Sequence, residues 1–174
     1  MTAMFPTAIE ANDIFANADI VLVDAKFALD KTRMIEFRDC VLPKLHAAGK
    51  KPMLTWPMRM ELYLLEKDDY SSKQRTAKWV HDQYHALHSM GMIGYGPVVE
   101  HYGTSERDFI RIFQKNKGRK ILIFTKDRDL VEDIQKCQLQ NVLPITLTGM
   151  GKIEVFTAFV GDEAVERFIS PDSL

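Results

Sequence analysis

ADIVLVD, Ala18 to Asp24, carries an unbroken apolar run that closes on a carboxylate. Continuous runs of this length suit a strand covered on both faces, the signature of a central parallel strand rather than a half-exposed antiparallel one. A second run of the same kind, ILIFT, Ile121 to Thr125, leads into KDRDL. Two buried strands that each deliver an aspartate near the carboxyl end set up everything that follows.

Outward from the first strand, Thr32 to Ala48 places Ile35, Val41, Leu42 and Leu45 at helical spacing, with Gly49 as a stop and Pro43 predicting a kink or two short helices. KPMLTW, Lys51 to Trp56, reads as a second strand. Pro57 then opens a helix through MRMELYLLEK, which puts Glu61 about one turn in. A helix is expected from Lys73 to Met90, then a glycine-rich irregular segment, GMIGYGPVVEHYG. The next helix runs from Ser105 to Asn116, capped by Thr104 or Ser105. After ILIFT come a loop and helix in KDRDLVEDIQKC, a strand over Asn141 to Leu147, and a further near-edge strand over Ile153 to Val160. Strands alternating with helices predict a three-layer α/β/α sandwich with a mainly parallel central sheet, in one domain spanning residues 1–174.

With 174 residues, 46% of them hydrophobic and 10% aromatic, the chain can build a proper core. Its formal net charge of -1 excludes a globally basic nucleic-acid binder, so a polyanion would need a local patch. Cys40 and Cys137 lack metal-type spacing and are expected to be buried free thiols of a reducing compartment. No apolar run approaches the roughly 18 residues of a membrane span, and MTAMFPTAIEANDIF lacks the basic start and apolar stretch of a signal peptide. The expectation is a cytoplasmic protein with no membrane partner.

Asp24, Glu61, Asp108 and Asp127 each fall at or beside the end of a predicted element. In parallel sheets, sites form beyond the carboxyl ends of the strands. Carboxylates gathered there repel one another, and a hard divalent cation such as Mg²⁺ or Mn²⁺ relieves the repulsion. Each residue also has a plainer role: Asp127 or Asp129 as a helix cap, Glu61 as a solvated helix residue, Asp108 as a partner of Arg107 or Arg111. The combination points to chemistry.

The motifs IVLVDAKFAL, PMLTWPMRMEL, SERDFIRIF and ILIFTKDRDL together resemble those of the PIN-domain nucleases. The resemblance covers most of Ala18 to Ile134, and TKDRDL is similar to the family's Thr-Asn-Asp motif. It implies that Asp24, Glu61, Asp108 and Asp127 form a catalytic, metal-binding quartet. Thr125 would orient the site, and Asp129 would be the accessory acid. It implies an endoribonuclease that hydrolyses RNA phosphodiester bonds with Mg²⁺ or Mn²⁺ and a metal-activated water. Homodimerisation, and control by an antitoxin or other regulatory protein, are further implications. The family also holds catalytically silent members that bind RNA or protein. The stretch from Leu65 to Gly103 is longer than in compact toxin-type members, so the substrate groove does not carry over.

Lys26, Arg33, Lys126 and Arg128 flank the acidic positions and are the candidate RNA phosphate contacts. Lys115, Lys117, Arg119 and Lys120 of QKNKGRK read better as a solvated connection. Trp56, Tyr95 and Tyr102 are candidates for base stacking. His81, His85 and His88 share a helical face beside Trp79 and Tyr84. Without H-E-x-x-H or nearby cysteines, that face reads as half-exposed surface rather than a zinc site.

Overall fold

The computed structural model describes residues 11–96 and 105–169, including the side chains of 13–96, 109–156 and 161–169. The two diagnostic runs become β1 (Ile20–Val23) and β4 (Ile121–Phe124), paired in parallel with Val23 beside Phe124. They are the centre of a six-stranded sheet. One flank of β1 adds β2 (Met53–Leu54) and then β3 (Gly94–Tyr95); one flank of β4 adds β5 (Val142–Gly149) and then β6 (Lys152–Val155). All pairings are parallel except that of β6 with β5.

Alternation along the strands separates two cores. Val21 and Val23 of β1, with Leu122 and Phe124 of β4, face one layer; Leu22, Ile121 and Ile123 face the other. The first layer contains α1 (Ala11–Asn17), α2 (Ala25–Ala28), α3 (Lys31–Glu36), α4 (Leu42–Ala47), α5 (Trp56–Lys67) and α6 (Gln74–Ser89). The opposite layer holds α7 (Ser105–Lys115) and α8 (Arg128–Lys136), through Phe109, Phe113, Leu130 and Ile134. The last described element is α9 (Thr157–Ile169), which breaks at Gly161 and packs Val165 and Phe168 into the first layer. This is the expected α/β/α sandwich. Phe124 sits where Phe15, Phe27 and Phe37 converge, at centroid distances of 6.3, 5.7 and 5.0 Å.

Two short helices stand around Pro43 as expected: a π-helical turn over Phe37–Val41 lies between α3 and α4 and leaves the proline in the first turn of α4. Three local expectations are corrected. The glycine-rich segment after α6 is not wholly irregular, because Gly94 and Tyr95 form β3 on the edge of β2. The stretch from Ile153 to Val160 is strand only as far as Val155; α9 takes over at Thr157. Cys40 and Cys137 are free but not buried: the first is half-buried and the second exposed at the end of α8. Thr104 and the side chain of Ser105, the expected caps of α7, lie outside the described residues, as does Tyr102.

Candidate active site

The parallel register of β1 and β4 carries past the strands by one residue and brings Asp24 level with Thr125. The Asp24 amide donates to the Phe124 carbonyl at 2.9 Å, and the Thr125 amide to the Ile145 carbonyl at 2.9 Å. Both side chains are buried. The Thr125 hydroxyl donates to Asp24 Oδ2 at 3.0 Å and accepts the Asp127 amide at 2.9 Å. One hydroxyl therefore ties together two aspartates about a hundred positions apart in the chain.

The two aspartates are held differently. Asp127 caps α8, accepting the Asp129 amide on Oδ1 at 3.1 Å, and its Oδ2 meets Lys26 Nζ at 3.0 Å. The helix-cap reading is therefore correct for Asp127, and Asp129 is an exposed residue of the first turn of α8. Asp24 occupies the cap position of α2 but makes no side-chain cap hydrogen bond there. Its carboxyl rises from 3.8 to about 6, chiefly because burial disfavours the anion. The Thr125 hydrogen bond works against that rise, while the charges of Asp127 and Glu61 add to it.

Glu61 thus lies near enough for its charge to act on Asp24. Thr55 closes β2 and caps α5, accepting the Met58 amide at 3.4 Å, so the helix springs from the strand end and carries a half-buried Glu61 in its second turn. Asp108 is the fourth residue of α7, a helix that packs against both α5 and α8. Its side chain lies outside the described residues.

Three of the four expected phosphate contacts are engaged inside the protein. Lys26 pairs with Asp127, Lys126 with Asp30, and Arg33 Nη1 with the buried Glu36 at 2.8 Å. Arg128 is exposed. The QKNKGRK segment leads into the amino end of β4, so a strand's length separates it from the carboxylates. Asn141 ties its turn down through the Asn116 and Arg119 carbonyls, at 3.0 and 3.1 Å. Of the helix histidines, all exposed, His81 Nδ1 meets Glu66 at 2.6 Å and His88 stacks on Tyr95 at 3.9 Å.

Two residues beside the site escaped the sequence reading. Arg59 lies over Tyr95, 3.9 Å from its centroid, and over Trp56 at 5.5 Å. Tyr84 is fully buried, and the charge of Asp24 contributes to holding its hydroxyl protonated, after burial itself. The i,i+3 spacing of Trp56 and Arg59 was a usable signal for the first; nothing local marks the second.

The donor set suits a hard divalent ion. It offers carboxylate oxygens whose mutual repulsion a cation would relieve, and Mg²⁺ typically binds through one or two carboxylates while keeping several waters. Among the described residues no three acidic, imidazole or thiol side chains close a cage by themselves. Asp24 and Asp127 are the described acids that the Thr125 hydroxyl ties together.

No family model and no curated protein sequence matches the chain. Among solved structures it is similar to that of the PIN domain endonuclease Utp24, with 18% sequence identity and a TM-score of 0.55, over 82% of this chain and 94% of that one. At such low identity the likeness speaks for the fold.

Proposed function

The chain has a PIN-like fold, and from that premise we propose that it is a metal-dependent ribonuclease cutting RNA internally. The observation that carries the reading is the Asp24 carboxyl, bridged by Thr125 to Asp127 and pushed upward chiefly by burial, with the charges of Asp127 and Glu61 adding to it. A protein gains nothing in stability from crowding acids at a strand end, so an ion-binding role is the economical reason for it. In this reading Asp24 and Asp127 hold the ion, with Glu61 and Asp108 completing the set and Asp129 as an outer acid. Bound there, Mg²⁺ or Mn²⁺ would lower the pKa of a coordinated water and stabilise charge developing at phosphorus.

The residues of the chain have separate tasks. Thr125 fixes the Asp24 carboxylate by donating to Oδ2 and orients the backbone of Asp127 by accepting its amide. In this reading Glu61, half-buried on α5, takes a proton from the attacking water. Lys26, half-exposed, exchanges its Asp127 partner for a phosphate oxygen when the carboxylates are otherwise neutralised. Arg128 and Lys126 extend that contact along the strand.

One observation favours a second reading, a catalytically silent module that binds RNA or protein. Lys26 on Asp127 is how a site without metal would neutralise its acids. Incubation of purified protein with a mixed RNA pool, in Mn²⁺ or in chelator, beside Asp24→Asn, separates the two. Cleavage confined to wild-type protein in Mn²⁺ supports the nuclease, and intact RNA in every lane supports the silent module.

A further inference from the structure

A cavity of about 380 Å³ lies beside the acidic site, and α5 forms the shared wall. Met60 and Leu62, the residues on either side of Glu61, both line it. So does Tyr84, whose hydroxyl lies within the field of Asp24. The volume is in the range of sites that enclose a small organic group. Leu54 and Leu62 supply apolar surface, and Tyr63 an aromatic face at the mouth, 46% exposed.

Two of its polar groups stand without a partner. The Trp56 indole N–H and the Tyr84 hydroxyl are buried without a hydrogen-bond partner, and among the described side chains no other buried polar atoms are left so. Leaving a buried polar group unpaired is costly. The Trp56 N–H only donates and the Tyr84 hydroxyl can donate or accept, so the pair at one cavity marks a place kept for a polar ligand edge that offers an acceptor. Arg59 adds a guanidinium, which has donors only. It lies against one face of Tyr95, and His88 at the same 3.9 Å spacing necessarily takes the other, so this wall is pre-organised.

We propose that this cavity is a nucleobase subsite, holding a base of the RNA strand next to the scissile phosphate and preferring bases that present carbonyl oxygens, uracil and guanine. The proposal rests on the nuclease reading for its neighbouring phosphate. A flat, partly apolar ring with carbonyl acceptors on its edge answers both the walls and the unpaired donors. The Trp56 N–H and the Arg59 guanidinium cannot accept from the amino group that cytosine and adenine present in place of a carbonyl.

The test is fluorescence anisotropy with 5′-labelled single-stranded hexamers of uridine, cytidine, adenosine and abasic ribose phosphate. Full-length Asp24→Asn protein is used, so that no strand is cut. Uridine should bind at least 10-fold more tightly than the abasic strand and several-fold more tightly than cytidine. Tyr84→Phe should weaken uridine binding while the thermal midpoint holds or rises, since it deletes an unpaired hydroxyl. Trp56→Phe, which keeps an aromatic ring, should erase the preference over cytidine and leave the abasic strand unchanged. Equal binding of uridine and abasic strands, or a uridine preference untouched by both substitutions, overturns the subsite. Wild-type protein that cleaves the RNA pool while base identity has no effect on binding loses the subsite alone. A uridine preference in a protein that never cleaves removes the nuclease reading and leaves the base pocket.

Discussion

At the scale of single residues, Asp24 carries the strongest consequence. Its folded-state carboxyl, raised from 3.8 to about 6, binds a proton more tightly than the unfolded chain does. This group therefore favours the fold at low pH, and its contribution is lost as pH rises from 3.8 through 6. About two pKa units correspond to about 3 kcal/mol. In chelator, Asp24→Asn should be more stable than wild type by about 2–3 kcal/mol at pH 8. That difference should close below pH 4, as read by urea unfolding across the pH range. The same substitution should abolish cleavage. A second prediction concerns Lys26, whose ammonium competes with any cation for Asp127. Lys26→Met should tighten Mn²⁺ binding about 3- to 10-fold in calorimetry, an increment of about 1 kcal/mol for a half-exposed charge. Asp24 and Asp127 were legible as residues because a carboxylate after an apolar run is a local pattern. The commitments of Lys26 and Lys126 were not, because each partner is chosen by the fold, whereas Glu36 stands three positions after Arg33 on the same helix, a spacing the sequence does contain.

At the scale of elements, the β5–β6 hairpin is tied to the first layer by one contact set. Gly151, at φ 76° in the turn, donates its amide to the buried Glu36 at 2.8 Å, and a Cβ there would meet the Cys40 Cβ at 2.8 Å. Gly151→Ala should cost about 2–4 kcal/mol, from left-handed backbone strain together with the clash, measured by denaturant unfolding. The same anchor explains why the α3–α4 region uses a π turn. Cys40 and Glu36 flank or enter that turn and must both face Gly151. Long periodic elements were readable: α5, α6 and α8 stand where the helical spacing put them. Short ones were not. β3 has two residues, one of them glycine, and its pairing with β2 supplies what its sequence lacks. In the segment after Val155 local β propensity lost to the packing of α9, which is broken at Gly161 to let Val165 and Phe168 reach the core.

At the scale of the whole molecule, the candidate site exists only in the folded chain, since Asp24 and Thr125 meet across β1 and β4 and Glu61 arrives on a helix from β2. Ion binding and folding are therefore linked. Mn²⁺ at about 100 times its dissociation constant should stabilise wild-type protein by about 2.7 kcal/mol. Asp24→Asn should show no such shift in a thermal melt. The sequence alone determined the α/β class and the central strands, because buried parallel strands and amphipathic helices are written in local hydrophobic period. It also determined which acids stand at element ends. Tertiary structure decided how those acids differ: Asp127 capped and salt-bridged, Asp24 buried and repelled, Glu61 within its field. It likewise decided that a cavity with two unpaired donors opens beside them. Burial, hydrogen-bond partners and electrostatic neighbours depend on distances between segments far apart in the chain, and no local pattern of residues contains those distances.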